Sequence, residues 1–272
     1  MRKLIVIVAH LISLQAISQH SIDSMLQAEK NFAQSSLVAG MNEAFLKFLD
    51  SAAVVFDQGK PVNGIEFYKS KGRANGILSW EPEFAEISSG NDFGYTTGPW
   101  EYYANNLKEQ PLAGGQFITV WHLNSKGEWK FLIDFGISYN HERKPDPLKK
   151  VHAAKNEKEN GGENSLKQVE EEFIDTYKDH GKEAYAEFLS SQSRLNYKGF
   201  LPATDKPQRK ALLDSLPANI NYTILGLGTS PMNDLGYTYG SAIVDGKQDG
   251  YLRIWRKEST GWKIAVEVLR FK

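Results

Sequence analysis

Asp249-Gly-Tyr-Leu-Arg-Ile-Trp-Arg-Lys-Glu-Ser-Thr-Gly-Trp-Lys-Ile-Ala-Val-Glu-Val268 reads as two β-strands joined by a polar turn, with Trp255 on the first strand and Trp262 on the second. The chain writes this hairpin twice. Its earlier copy is Gly115-Gln-Phe-Ile-Thr-Val-Trp-His-Leu-Asn-Ser-Lys-Gly-Glu-Trp-Lys-Phe-Leu-Ile-Asp134, in which Trp121 answers Trp255, Trp129 answers Trp262 and Asp134 answers Glu267.

The matches continue outward from the hairpins in the same order. Asn91-Asp-Phe-Gly-Tyr-Thr-Thr-Gly98 returns as Asn233-Asp-Leu-Gly-Tyr-Thr-Tyr-Gly240, and Gly40 returns as Gly181. Glu43-Ala-Phe45 and Phe48-Leu49 return as Glu183-Ala-Tyr185 and Phe188-Leu189. Agreement at separate places implies two copies of one domain, and 272 residues suit two domains of ~100–150 residues each. Residues 140–164 are rich in Lys, Glu, Asn, Pro and Gly, so little burial offsets their ordering entropy. The expected division is a first domain over 21–139, a mobile polar linker over 140–164 and a second domain over 165–272.

Helical spacing runs through Ile22, Met25, Leu26 and Phe32, and again through Leu166, Val169, Phe173 and Tyr177. Ser165-Leu-Lys-Gln168 has the spacing of a capping box, which predicts the start of the second copy's helix. Strands follow in each copy. Along 116–124, Phe117, Thr119, Trp121 and Leu123 share one face, and Ile118, Val120 and His122 share the other. Large apolar groups on both faces predict a covered sheet, with helices on one side and a pocket, partner or second sheet on the other. The fold class is therefore α+β, with N-terminal helices packed on a mainly antiparallel sheet in each of two domains.

Composition narrows function by exclusion. Apolar residues make up 41% and charged residues 24%, and the formal net charge is -1 from 32 basic and 33 acidic residues. No basic field exists to neutralise phosphates, so a nucleic-acid partner is not expected. Met1-Arg-Lys3, the apolar run Leu4 to Leu14 and the small residues Ala16 to Ser18 read as a secretory signal over 1–18. That run is too short to span a bilayer, so no membrane association is expected once it is removed. The chain has no cysteine, hence neither disulfides nor thiolate metal sites. A cysteine-free exported chain suits a bacterial periplasmic or extracellular setting.

Helix, glycine, helix, short strand, the loop Asp57-Gln-Gly-Lys-Pro-Val-Asn-Gly64 and a sheet ending in a Trp-bearing hairpin together resemble the nuclear transport factor 2 superfamily. That superfamily includes ketosteroid isomerase and the SnoaL-like cyclases, and the nearest resemblance is to its domain of unknown function in exported bacterial proteins. The resemblance implies that each sheet is curved and each domain cone-like, and it implies dimer-like packing through the sheet faces, within this chain as a pseudo-dimer or between two chains. It does not imply one reaction, because the same cone hosts enzymes, binding modules and adaptors.

The resemblance places a proton-abstracting base at Asp57, with oxyanion donors at Ala33 and Thr119, neither of which is the family's residue. In the second copy Ile174, Tyr197 and Arg253 stand at the positions of Ala33, Asp57 and Thr119. A base without its donors forfeits ~3 kcal/mol or more of transition-state stabilisation. Asp57 also has a structural reading, as the carboxylate that bonds a Gly/Pro turn. Asp134 and Glu267 alternate with apolar residues. A strict period of two turns them away from Phe131 and Ile133, and from Ile264 and Val266, onto a solvated face where Arg253 can pair with Glu267. The other reading makes them polar anchors in a pocket.

Trp80, Tyr95, Trp100, Tyr102 and Tyr103 form the most pocket-like cluster, with Thr119 and Trp121 on the neighbouring strand and Tyr197, Tyr237 and Arg253 as candidate ligand contacts in the second copy. His122 reads as a sheet-edge residue, no histidine pair has ligand spacing and no phosphate loop is present, so no metal or cofactor is expected. Three functions remain open. They are binding of a small organic molecule in the first domain, an isomerase, dehydratase or hydrolase using Asp57, and a filled interaction module.

Overall fold

The computed structural model describes residues 20–72, 74–140, 143–154, 162–217 and 219–271. The expected signal over 1–18 lies outside the described residues. The repeated Asn-Asp-x-Gly-Tyr-Thr-x-Gly stretch is a corner that launches a strand. Asn91 and Asn233 both take left-handed φ, 57° and 54°, a conformation that asparagine tolerates. Ser88 Oγ donates to Asp92 at 2.8 Å, and Ser230 Oγ donates to Asp234 at 2.6 Å. The closing glycine of each stretch is dictated by crowding. A Cβ on Gly98 would lie 1.9 Å from the Glu81 carbonyl oxygen, and one on Gly240 would lie 1.9 Å from that of Thr223.

The first domain opens with α1 (Ile22–Ala39), capped reciprocally by Ser21 and Ser24, then α2 (Met41–Phe48) after Gly40. β1 (Leu49–Asp57) turns tightly through Gln58 and Gly59 into β2 (Lys60–Asn63). The Asn63 side chain then caps α3 (Gly64–Ser70). β3 (Ile77–Trp80), β4 (Phe84–Ile87), β5 (Phe93–Tyr103), β6 (Ala113–Leu123), β7 (Trp129–Ser138) and β8 (Lys149–His152) complete a sheet of order β2-β1-β7-β6-β5-β4-β8, with β3 also on β5. The second domain has α4 (Gly162–His180), a short turn of helix, α5 (Tyr185–Phe188), β9 (Leu189–Tyr197) and α6 (Lys206–Asp214). β10 (Asn221–Thr229), β11 (Leu235–Val244), β12 (Lys247–Glu258) and β13 (Gly261–Leu269) follow, in the order β10-β11-β12-β13-β9. Both sheets are antiparallel except where β1 meets β7, β9 meets β13 and β8 meets β4. The protein is thus α+β, with helices on one face of each of two sheets.

Two expectations need correction. Ser165 does not start the second domain's first helix, because α4 already begins at Gly162; its hydroxyl instead accepts a hydrogen bond from Trp262 Nε1 at 2.8 Å. Ser24 does the same for Trp129 at 2.9 Å, so the pair is a repeated helix-to-hairpin tie. Nor is the polar segment 140–164 uniformly loose. β8 runs parallel to β4. Buried Glu83 accepts from Arg143 Nη1 at 2.6 Å and from the Asp146 backbone at 3.1 Å. A buried carboxylate and an open strand edge hold this stretch where apolar side chains do not.

The face of each sheet that is turned from its helices packs against the other sheet. Ile118, Val120, Ile133 and Phe135 of the first domain share one buried cluster with Leu252, Ile254, Val266 and Val268 of the second. Phe93 stacks on Tyr237 with centroids 6.2 Å apart. Glu86 is buried at this interface, where it binds Arg256 through both oxygens and accepts from Tyr95 at 2.8 Å.

Candidate functional site

Each cone is built around a glutamate carried on the apolar stripe of its first helix. Glu29 lies between Met25 and Phe32 on α1, and Glu170 lies between Leu166 and Phe173 on α4; all six side chains are buried. The spacing puts a carboxylate under the sheet, where only hydrogen bonds offset its desolvation. Glu29 accepts from Trp80 Nε1 at 2.5 Å, Thr96 Oγ1 at 2.5 Å and Trp121 Nε1 at 2.9 Å. Glu170 accepts from Thr238 Oγ1 at 2.7 Å, Tyr251 Oη at 2.9 Å and Trp255 Nε1 at 2.9 Å. The repeated Thr and Trp of the sequence are therefore the donors to a repeated glutamate. Burial pushes the Glu29 carboxyl above its usual range, and these donors pull it back.

A second carboxylate enters each cone from the last strand. The pairing of β6 with β7 shifts between Val120 and Trp121, which face Ile133 and Phe131, so Leu132 is the extra residue. The pairing of β12 with β13 shifts in the same way, leaving Ala265 extra. Each bulge reverses the alternation. Phe131 then faces the cone while Ile133 faces the other domain, and Asp134 returns to the cone side. Glu267 follows the same course past Ile264 and Val266. The solvated face expected for these two residues is thereby overturned. Asp134 is only partly exposed and lines a cavity, and Glu267 is fully buried.

The two cones part company at one residue. In the second, Arg253 is fully buried between the carboxylates, donating from Nε to Glu267 at 2.7 Å and from Nη1 to Glu170. Its guanidinium lies 4.2–4.5 Å from the ring centroids of Phe173, Tyr222 and Tyr251. Tyr185 and Tyr197 donate to Glu267 at 2.8 and 2.6 Å. Burial works against the arginine's charge, but Glu170 and Glu267 outweigh it and hold its pKa well above the ordinary value. The cone is filled.

In the first cone Thr119 stands at that place and donates to Asp134 at 2.9 Å. A cavity of about 480 Å³ results, within the few hundred to a thousand Å³ typical of small-molecule sites. Phe45, Tyr68, Trp80, Trp100 and Phe117 give it aromatic walls, and Asp134 gives it an acid. Lys198, Asp249 and Arg270 close it from the second domain. Burial pushes the Asp134 carboxyl up to about 7, against the hydrogen bond from Thr119 and helped by the nearby Glu29. Such a group carries or accepts a proton near neutrality.

Of the expected site residues, Trp80 and Trp100 line this cavity, and Thr119 meets it through Asp134. Trp121 is buried behind it on Glu29. Tyr95 and Tyr237 lie in the interface between the domains, not in a pocket, because the Tyr of the repeated corner points to the opposite face from its Thr. Tyr102 donates to the Asn75 carbonyl, and Tyr103 donates to Glu101 at 2.5 Å. Tyr197 and Arg253 fill the second cone. Asp57 pairs with Lys60 at the β1–β2 turn, outside the cavity lining, where a Cβ on Gly59 would lie 2.9 Å from the Asp249 Cα. His122 pairs with Asp50 at 3.1 Å. Glu29, Tyr68 and Arg270 were not singled out from sequence. The signal for Glu29 was present, as a carboxylate on the buried stripe of both first helices at the same spacing.

Solved structures similar to this chain include nuclear transport factor 2 from Cryptosporidium parvum, 13% identical over 42% of this chain and 96% of that chain, with a TM-score of 0.35. A nuclear-transport-factor-2-like protein of unknown function from Shewanella oneidensis is 17% identical over 42% of this chain and 96% of that chain, with a TM-score of 0.33. Another such protein, with a cystatin-like fold, from Novosphingobium aromaticivorans is 12% identical over 40% and 81%, with a TM-score of 0.32. No family model matches the sequence, and no curated protein does.

Proposed function

We propose that the protein binds a small, largely apolar organic molecule in the first cone, while the second cone is its packed counterpart. One observation carries the reading: equivalent positions hold Thr119, bonded to the Asp134 that lines a cavity of about 480 Å³, and Arg253, buried between two carboxylates. Trp80 and Trp100 in the wall make the test optical. Pyrenebutanol, a neutral apolar fluorophore, is expected to quench tryptophan emission in the wild type and to lose its affinity in Thr119→Arg. Equal quenching in both proteins would remove the reading.

A second reading is acid–base catalysis in the same cone. Asp134, at about 7 and in contact with the cavity, favours it. The base would then be Asp134 and not Asp57. If so, Asp134→Asn abolishes turnover of a substrate that it still binds; a variant that turns over at the wild-type rate sinks this version.

A further inference from the structure

We propose that the molecule held in the first cone is an organic acid, with its apolar body against Trp80 and Trp100 and its anionic end on the Arg270 guanidinium supplied by the second domain. The inference rests on the binding reading above and deepens it by naming the ligand's chemistry.

Arg270 is held firmly, and its terminal nitrogens are left over. Its Nε donates to the Gly136 carbonyl at 2.6 Å, and its Cζ lies 4.0 Å from the centroid of the Phe135 ring. Arg270 forms no ion pair among the described residues, and neither does Lys198, the other cation lining the cavity. Arg253 in the second cone shows the contrast, since two carboxylates claim it there. A planar guanidinium fixed by stacking and by one backbone bond has less freedom to lose when a carboxylate binds.

The cavity's own acids do not supply that partner. Asp249 Oδ1 accepts from the Gly250 N–H at 2.8 Å, and Asp134 accepts from Thr119. Burial raises the Asp134 carboxyl to about 7, so below neutrality it is mostly protonated and offers a bound anion a hydrogen-bond donor more than a repelling charge. Burial pulls the Arg270 pKa below its ordinary value, with Asp249 and Asp134 opposing, but an arginine remains charged. An apolar wall with one positioned cation selects an amphipathic anion.

The test compares pyrenebutyrate with its neutral counterpart pyrenebutanol, titrated by tryptophan quenching at about pH 6, where a side chain titrating near 7 is mostly protonated. The wild type is expected to bind the acid about tenfold more tightly or better, as a charge-assisted bidentate contact allows. Arg270→Gln keeps an amide nitrogen where Nε was, able to bond Gly136, and removes the charged head. It should bring the two affinities together by weakening the acid alone. Retained pyrenebutanol binding serves as the check that the cone is intact. Where that variant does not fold, Arg270→Lys gives the same comparison, with the preference reduced severalfold. Equal affinities in the wild type, both abolished by Thr119→Arg, overturn the organic-acid inference and leave the binding site standing. A preference that survives in Arg270→Gln overturns the role of Arg270. Binding of neither probe, or binding indifferent to Thr119→Arg, overturns the cone as a site and this inference with it.

Discussion

Arg253 faces Glu267 across the β12–β13 ladder as Thr119 faces Asp134 across β6–β7, and this one exchange separates a filled cone from an open one. Both positions lie between a helix glutamate and a strand acid. Evolving or engineering a pocket here requires little more than removing a cation and supplying another way to keep two carboxyls buried. In the first cone that way is the donor set on Glu29 and the raised Asp134 pKa.

Thr119→Arg should close the first cone. The new side chain would reach Glu29 and Asp134 as Arg253 reaches Glu170 and Glu267. Affinity for an apolar probe should fall more than tenfold, a loss of ~1.4 kcal/mol or more. The melting temperature should hold or rise, because the charge arrives with two partners waiting. A large drop in stability together with lost binding would show that the two cones are not interchangeable.

Arg253→Thr is not the reciprocal gain. It leaves Glu170 and Glu267 buried without their cation, and breaking such a cluster costs about 3–5 kcal/mol. Urea unfolding at neutral pH should show that loss. A loss under ~1 kcal/mol at neutral pH would mean that the tyrosine and tryptophan donors suffice alone.

The duplication and the α+β class were legible because closely similar stretches recur in one order. Other features hid for physical reasons. β9 reads Leu-Ser-Ser-Gln-Ser-Arg-Leu-Asn-Tyr, too polar for a strand pattern, because it lies at a sheet edge and carries cone-facing and interface-facing groups. The bulges at Leu132 and Ala265 invert the period-two reading, which turns Asp134 and Glu267 toward water and leaves their alternative reading as pocket anchors without support from the pattern. Arg270 could not be placed in the first cone from sequence, since it sits far along the chain and reaches it only through the packing of one sheet on the other. Aromatic clustering found Trp80 and Trp100, but it could not tell a pocket wall from the interface that takes Tyr95.

Asp134→Asn should flatten part of the stability–pH curve. A carboxyl raised in the folded state to about 7, from an ordinary value near 4, is protonated in the native protein across that window and ionised in the unfolded chain. The wild type therefore loses stability as pH rises from about 4 to 7 and levels off above it. Asparagine has no such loss. The variant should gain on the order of 2 kcal/mol relative to wild type between about pH 5 and pH 8, discounted for the residue's partial exposure. Parallel curves for the two proteins across that range would show that Asp134 titrates normally.

Glu86 and Arg256 tie the domains together inside an apolar interface, with Arg256 Nη2 donating to Glu86 Oε2 at 2.7 Å and Tyr95 adding a donor. Arg256→Met strands the glutamate and should cost about 3 kcal/mol or more, whereas Glu86→Gln combined with Arg256→Met should recover most of that loss, since no buried charge is left to desolvate and Tyr95 still partners the amide. The double-mutant cycle from urea unfolding measures the coupling. Because Lys198, Asp249 and Arg270 reach the first cavity only across this interface, Arg256→Met alone should also weaken ligand binding while its combination with Glu86→Gln restores it. Binding that stays at the wild-type level in a strongly destabilised Arg256→Met would mean that the first cone holds its ligand without help from the second domain.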